Sequence, residues 1–177
     1  DFGCHVIQGN CEEQLAAGAA DCGCNFAEGT ACDLLSKGWY PYALARVSEA
    51  SCRWMGALPL TLTFRAGGLT FRVVHGGVRT INRFVFASQR DELAEELGWA
   101  STDVVISGHS GLPFIAKVGR GVWFNPGVIG MPPNDGTPDA WYGLLALEDT
   151  HVVLSTHRLA YAHVAAAAAM RRHGHAN

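Results

Sequence analysis

Long apolar runs are absent from this chain: none approaches the ~20 residues that a helix needs to cross a bilayer. Basic clusters are absent too, since no run of Lys or Arg exceeds a pair. With 13 Lys+Arg against 16 Asp+Glu, the formal net charge is -3. Binding along a nucleic-acid backbone needs a concentrated positive patch, so that class of partner is excluded. No secretory leader precedes the first cysteine, and no second pair stands at zinc-finger spacing from Cys22 and Cys24. The six cysteines (Cys4, Cys11, Cys22, Cys24, Cys32 and Cys52) are therefore read as reduced thiols of a cytoplasmic protein. A cysteine-bound zinc module within residues 4 to 52 is the weaker reading of the same residues. No Ser-His-Asp or Cys-His triad can be assembled, and neither internal repeats nor a linker divide the 177 residues.

What is present is a chain 49% hydrophobic and 16% charged. That composition suits one domain over residues 1–177, burying roughly 70% of the surface its unfolded form would expose. "CHVIQ" (4–8) reads as a buried strand, and 12–36 as weakly helical with breaks near Gly18 and Gly23. Residues 40–58 carry apolar side chains at helical spacing up to Pro59. "LTLTF" and "LTFRVVH" flank "RAGG" as a hairpin with a glycine turn. "SQRDELAEELGW" (88–99) is a helix capped by Ser88 and ended by Gly98. "TDVVISG" (102–108) is a strand, "FIAKV" with "VWFNPG" a second hairpin, and "MPPNDGTPD" (131–139) a long turn. "AWYGLLAL" and "HVVLSTHRLA" pair around "EDT", and a helix through "AYAHVAAAAAMRR" closes the chain. Mixed strands and helices with late hairpins point to a layered α/β sandwich.

Three of these apolar runs stop on a residue able to bind a metal: Asn10 in "HVIQGNCEE", His75 in "FRVVHGGV" and His109 in "VVISGHSGLPF". Each has glycine beside it (Gly9, Gly76 with Gly77, Gly108), which lets the backbone turn sharply and approach a ligand. In α/β sheets functional groups collect at the carboxyl ends of strands. An amide oxygen with two neutral imidazoles suits Mn, Fe, Zn or Co.

"GNCEE", "VVHGG", "VVISGHSGLPF" and "VWFNPGVIGMPPNDGTPDAWYGLLAL" together resemble the later motifs of the calcineurin-like metallophosphoesterases, in particular their small prokaryotic phosphodiesterase branch. The resemblance covers roughly residues 4 to 148. It implies an αββα sandwich, here without its first strands, and a phosphatase or phosphodiesterase acting on a small phosphorylated substrate. Two divalent metals, with manganese among the options, hold the phosphoester, and a metal-activated hydroxide attacks phosphorus in line. Carried over by position, Asn10, His75 and His109 are ligands of one metal. Cys11 stands where many relatives have a histidine that assists the leaving group. Gly111 lines the substrate side, and Asn125 with Pro126 supports the site from behind.

Two features depart from the family pattern. The D-x-H and G-D motifs that supply the other metal do not occur upstream of Asn10, and Gly111 replaces the last histidine of G-H-x-H. The expectation is an intact, longer parent that is the enzyme, with the alternative of a catalytically silent binding or scaffold domain on the same fold. Outside the motifs, His5 reads as a sheet-face residue and His151 and His157 as solvent-exposed. Asp135 and Asp139 read as turn residues. A nucleophilic Cys11 is disfavoured by the adjacent Glu12 and Glu13. The oligomeric state is left open.

Overall fold

The computed structural model describes residues 3–133, 135–149 and 151–174. Asn134 of the 131–139 turn and Thr150 of "EDT" lie outside them. The chain divides into two compact units: residues 1–59 with 162–177, and residues 60–161.

The first unit is helical: α1 (Asn10–Ala17), α2 (Ala31–Leu44), α3 (Glu49–Gly56) and, near the C-terminus, α5 (His163–Arg172). Leu15, Cys22, Cys24, Tyr40 and Met55 form its core. The strand expected at 4–8 is not formed. A strand exists only through a ladder with a neighbour, and this segment is tied instead by Gln8, whose backbone N–H donates to Pro59 O (2.9 Å) and whose side chain donates to Met55 O (2.9 Å). Asn10 accordingly opens a helix rather than a loop, and Gly18 ends it at φ 65°. The single helix expected over 40–58 is two helices. Ser48 separates them by accepting from Ser51 N, the N-cap arrangement that starts α3.

The second unit holds β1 (Thr61–Ala66), β2 (Leu69–Val74), α4 (Arg90–Ala100), β3 (Val104–Ile106), β4 (Phe114–Val118), β5 (Gly121–Asn125), β6 (Ala140–Glu148) and β7 (His151–Leu159). A five-stranded mixed sheet runs in the order β1-β2-β3-β5-β4, and β6 pairs with β7 in a second, antiparallel sheet. All three expected hairpins form. Gly67 and Gly68 turn the first at φ 52° and 77°, both in the left-handed region that a two-residue turn requires. α4 lays Leu93, Leu97 and Ala100 against Val105, Ala116 and Trp123 of the sheet. Ser88 does not cap α4. The N-cap is Gln89, whose side chain accepts from Phe86 N, and the helix passes through Gly98 to end at Ser101. The two sheets approach closely at Gly143, where a Cβ would lie 2.4 Å from the Phe124 ring. Among the described residues no helix is long and apolar enough to cross a membrane.

Candidate metal centre

Two parallel neighbours in the sheet build the site. β2 pairs with β3 in the register Phe71↔Val104 to Val73↔Ile106, so both strands run out at the same edge. One delivers His75 immediately after Val74, the other His109 three residues after Ile106. Their turns are tied together: Gly108 N donates to His75 O (2.8 Å), and Ser107 Oγ donates to Gly76 O (2.7 Å). His109 itself sits at φ 55°, a conformation unusual for a side chain larger than hydrogen. Asn125 at the end of β5 braces it. With no exposed surface, Asn125 donates to Gly108 O and Ser110 Oγ (both 2.9 Å) and accepts from Gly127 N (2.9 Å).

The result is a histidine pair with His75 Nε2 3.1 Å from His109 Nδ1. The rings meet edge to face at 5.0 Å, and Phe84 covers His109 at 4.2 Å. Burial, reinforced by neighbouring His75, pushes the His109 imidazole down to about 4, so it is held neutral with a lone pair available. His109 Nε2 is buried with no hydrogen-bond partner among the described residues. Two imidazole nitrogens at this separation fit adjacent positions around one ion with bonds of ~2.1 Å. Burial of the pair, the neutrality of His109 and the spacing suit a divalent transition-metal cation.

Residues 2–150 match the calcineurin-like phosphoesterase superfamily domain. The chain belongs to that superfamily. Among solved structures this domain is similar to a hypothetical protein of Pyrococcus horikoshii OT3, with a TM-score of 0.78 at 16% identity, over 98% of this chain and 69% of that one. It is also similar to a metallophosphoesterase of Sphaerobacter thermophilus, with a TM-score of 0.70 at 16% identity, over 97% of this chain and 72% of that one. None of the curated proteins matches the sequence.

Within the phosphoesterase domain, the expected residues fall into two groups. His75, His109 and Gly111 lie in the second unit, while Asn10 and Cys11 lie in the first. Asn10 is buried (2% exposed), with Nδ2 donating to Cys22 O (2.7 Å) and to Cys24 Sγ (3.1 Å). A carbonyl can only accept, so Cys22 O fixes which way the amide is turned. Among the described residues no three His, Cys, Asp or Glu side chains group in a metal-holding arrangement. Gly111 adopts φ 70°, and a Cβ there would touch only Val128 at 3.4 Å, so backbone conformation more than space restricts this position.

Cys11 departs from its expected chemistry. Glu12 does raise its thiol, as do burial and Cys22, yet the hydrogen bond from Cys24 outweighs them and the Cys11 thiol lies below its ordinary range. Glu12 is engaged elsewhere, accepting from Gly9 N (3.0 Å) at the start of α1. Burial lifts Cys22 to about 11, and the hydrogen bond to Cys11 raises Cys24 further. All six cysteines are free thiols.

The remaining candidates resolve simply. His5 is exposed and lies on no strand, which corrects its sheet-face reading. His151 is exposed as expected, whereas His157 is half-buried, stacked on Tyr142 (5.4 Å) and bonded to Ser155 Oγ (2.7 Å). Asp135 accepts from Thr137 within its own turn, and Asp135 and Asp139 both pair with Arg158 (3.6 and 3.2 Å). Phe84, Ser107 and Glu96 (below) escaped the sequence reading. Each acts through a contact distant in sequence that no local pattern marks.

Proposed function

We propose that this domain is a divalent-metal-dependent phosphoester hydrolase, acting on a phosphomonoester or phosphodiester. His75 and His109 are its metal ligands, and the family pattern assigns the same role to Asn10. The observation that carries the reading is the imidazole pair, with ring nitrogens 3.1 Å apart, at the ends of two parallel strands. A bound Mn, Fe, Zn or Co ion would supply Lewis-acid polarisation of the phosphoryl group and acidification of water.

The chain's own residues have the tasks of holding and orienting. The buried His109 ring offers a lone pair without first losing a proton. The Asn125 network keeps its turn in the left-handed conformation. The Cys22 carbonyl takes the Asn10 NH₂, which fixes how that amide is turned. Cys11, with its lowered thiol, stands beside Asn10 as a group for the leaving oxygen, and Gly111 leaves the substrate side open. The free cysteines agree with a reducing, cytoplasmic setting.

A second reading, a silent binding domain, draws on Gly111 where the family has histidine and on the lack, among the described residues, of a third His, Cys, Asp or Glu in the group. Metal content by mass spectrometry, paired with bis-p-nitrophenyl phosphate turnover after Mn²⁺ addition, separates the two. Stoichiometric metal lost in His109→Ala, with turnover in the native chain, is the expected result. Tight metal binding that survives His109→Ala overturns the ligand assignment. Absence of both metal and turnover favours the binding domain.

A further inference from the structure

Glu96 sits on the core side of α4, three residues after Leu93 and one before Leu97, and has no exposed surface (0%). A carboxylate in that position is costly unless its oxygens are matched, and its partners come from the turn that carries His75. Val78 N donates to Glu96 Oε2 at 2.6 Å. Arg83 Nε lies 3.3 Å from Glu96 Oε1, an ion pair outside hydrogen-bond geometry, and the same guanidinium reaches Glu92 at 3.4 Å. The turn is shaped to admit the carboxylate. A Cβ on Gly77 would stand 2.9 Å from Oε1 and 3.1 Å from Oε2, and one on Gly76 would stand 2.4 Å from Ile81 O. Gly77 N and Arg83 N both donate to Thr80 O (2.9 and 3.2 Å), closing the segment on itself.

We propose that Glu96, paired with Arg83, is a positioning residue for the histidine pair: a buried clamp that fixes the 75–83 turn and thereby the separation of His75 from His109. The β3 side of the pair is already tied to this turn through Ser107 and Gly108, and braced by Asn125. The clamp supplies the matching restraint on the β2 side, from a helix that touches neither imidazole in any contact described above. A carboxylate is suited to this because one oxygen accepts a backbone N–H while the other faces the guanidinium as an ion pair, which no apolar side chain could do.

The test compares Glu96→Gln, Arg83→Gln and Leu93→Ala at one fixed pH. Leu93→Ala opens the same helix's core contact while leaving the Glu96 and Arg83 side chains in place, so it reports loss of packing without loss of the clamp. The first readout is the pair of imidazole ring resonances, and the nuclear Overhauser effect between them, in the metal-free chain. The second is Mn²⁺ affinity by calorimetry, and this arm alone rests on the phosphoesterase reading.

Glu96→Gln is expected to shift both rings and weaken Mn²⁺ binding roughly tenfold, the lower end of what outer-shell partners cost. Arg83→Gln should move both readouts in the same direction by less. Leu93→Ala should lower the unfolding midpoint while leaving rings and affinity in place. Native ring signals in both Glu96→Gln and Arg83→Gln overturn the proposal, as does an equal disturbance by Leu93→Ala. If Glu96→Gln does not fold, Arg83→Gln alone decides. Should His75→Ala leave Mn²⁺ affinity unchanged while Glu96→Gln still moves the rings, the clamp stands and the metal reading falls.

Discussion

Replacing Asn125 by alanine removes three hydrogen bonds at once from a side chain with no exposed surface. The donors to Gly108 O and Ser110 Oγ disappear, and so does the acceptor of Gly127 N, all at 2.9 Å. Each ordinary hydrogen bond is worth about 1 kcal/mol net, and a buried partner left unmatched costs about 1–3 kcal/mol. Ser110 Oγ can turn to another partner, whereas the two backbone groups cannot. The expected loss is therefore about 3–5 kcal/mol, which for a chain of this length lowers the melting temperature by roughly 10 °C. Urea denaturation followed by far-ultraviolet circular dichroism measures it, with an unchanged slope marking a change in stability alone. Asn125→Asp sharpens the test, because it retains an acceptor for Gly127 N but turns a carboxylate oxygen toward Gly108 O. It should be no more stable than the alanine variant. A loss below about 1 kcal/mol in Asn125→Ala would refute the reasoning, since the His109 turn would then hold its φ 55° conformation without this side chain.

Gly76→Ala should destabilise by about 3 kcal/mol or more, because its Cβ would meet backbone atoms, Ile81 O at 2.4 Å and Arg83 N at 2.9 Å, that cannot rotate away. A urea midpoint within error of the native one contradicts this. Asp103 accepts from both the N–H and the hydroxyl of Thr70 (2.7 Å each), and the backbone bond first, then the hydroxyl, holds its carboxyl below the ordinary range. The folded form therefore favours the carboxylate: its contribution is present above the unfolded pKa of about 3.9 and is lost as pH falls through the lower folded value. Asp103→Asn should flatten the acid limb of the stability curve below pH ~4, and an unchanged limb would exclude Asp103 as its source. Iodoacetamide at pH 8, mapped by mass spectrometry, should label Cys11 ahead of Cys22, whose thiol is raised to about 11 and whose exposure is 4%. Equal labelling rates would argue against the Cys24 hydrogen bond.

The glycine hairpin at Gly67–Gly68, the alternating strands and the strand-end histidines were legible because each depends on neighbours close in sequence. Boundaries that depended on distant partners were not. "CHVIQ" has a strand's composition and no strand's ladder. The helix through Gly98 runs on to Ser101 because Leu97 and Ala100 pack on the sheet and outweigh the glycine's local preference.

The same division runs through the site. Residue types and order alone determined which imidazoles end which strands, since a β-branched run followed by His-Gly or Gly-His terminates by local sterics. The sequence could not decide that β2 and β3 are parallel neighbours, which is what turns two histidines 34 positions apart into one pair. It also could not show that Glu96 is buried beneath their turn, or that Cys24 reverses the influence of Glu12 on Cys11. Those outcomes depend on distances between residues remote along the chain. Electrostatic and hydrogen-bond energies depend on such distances, so the tertiary structure decided them.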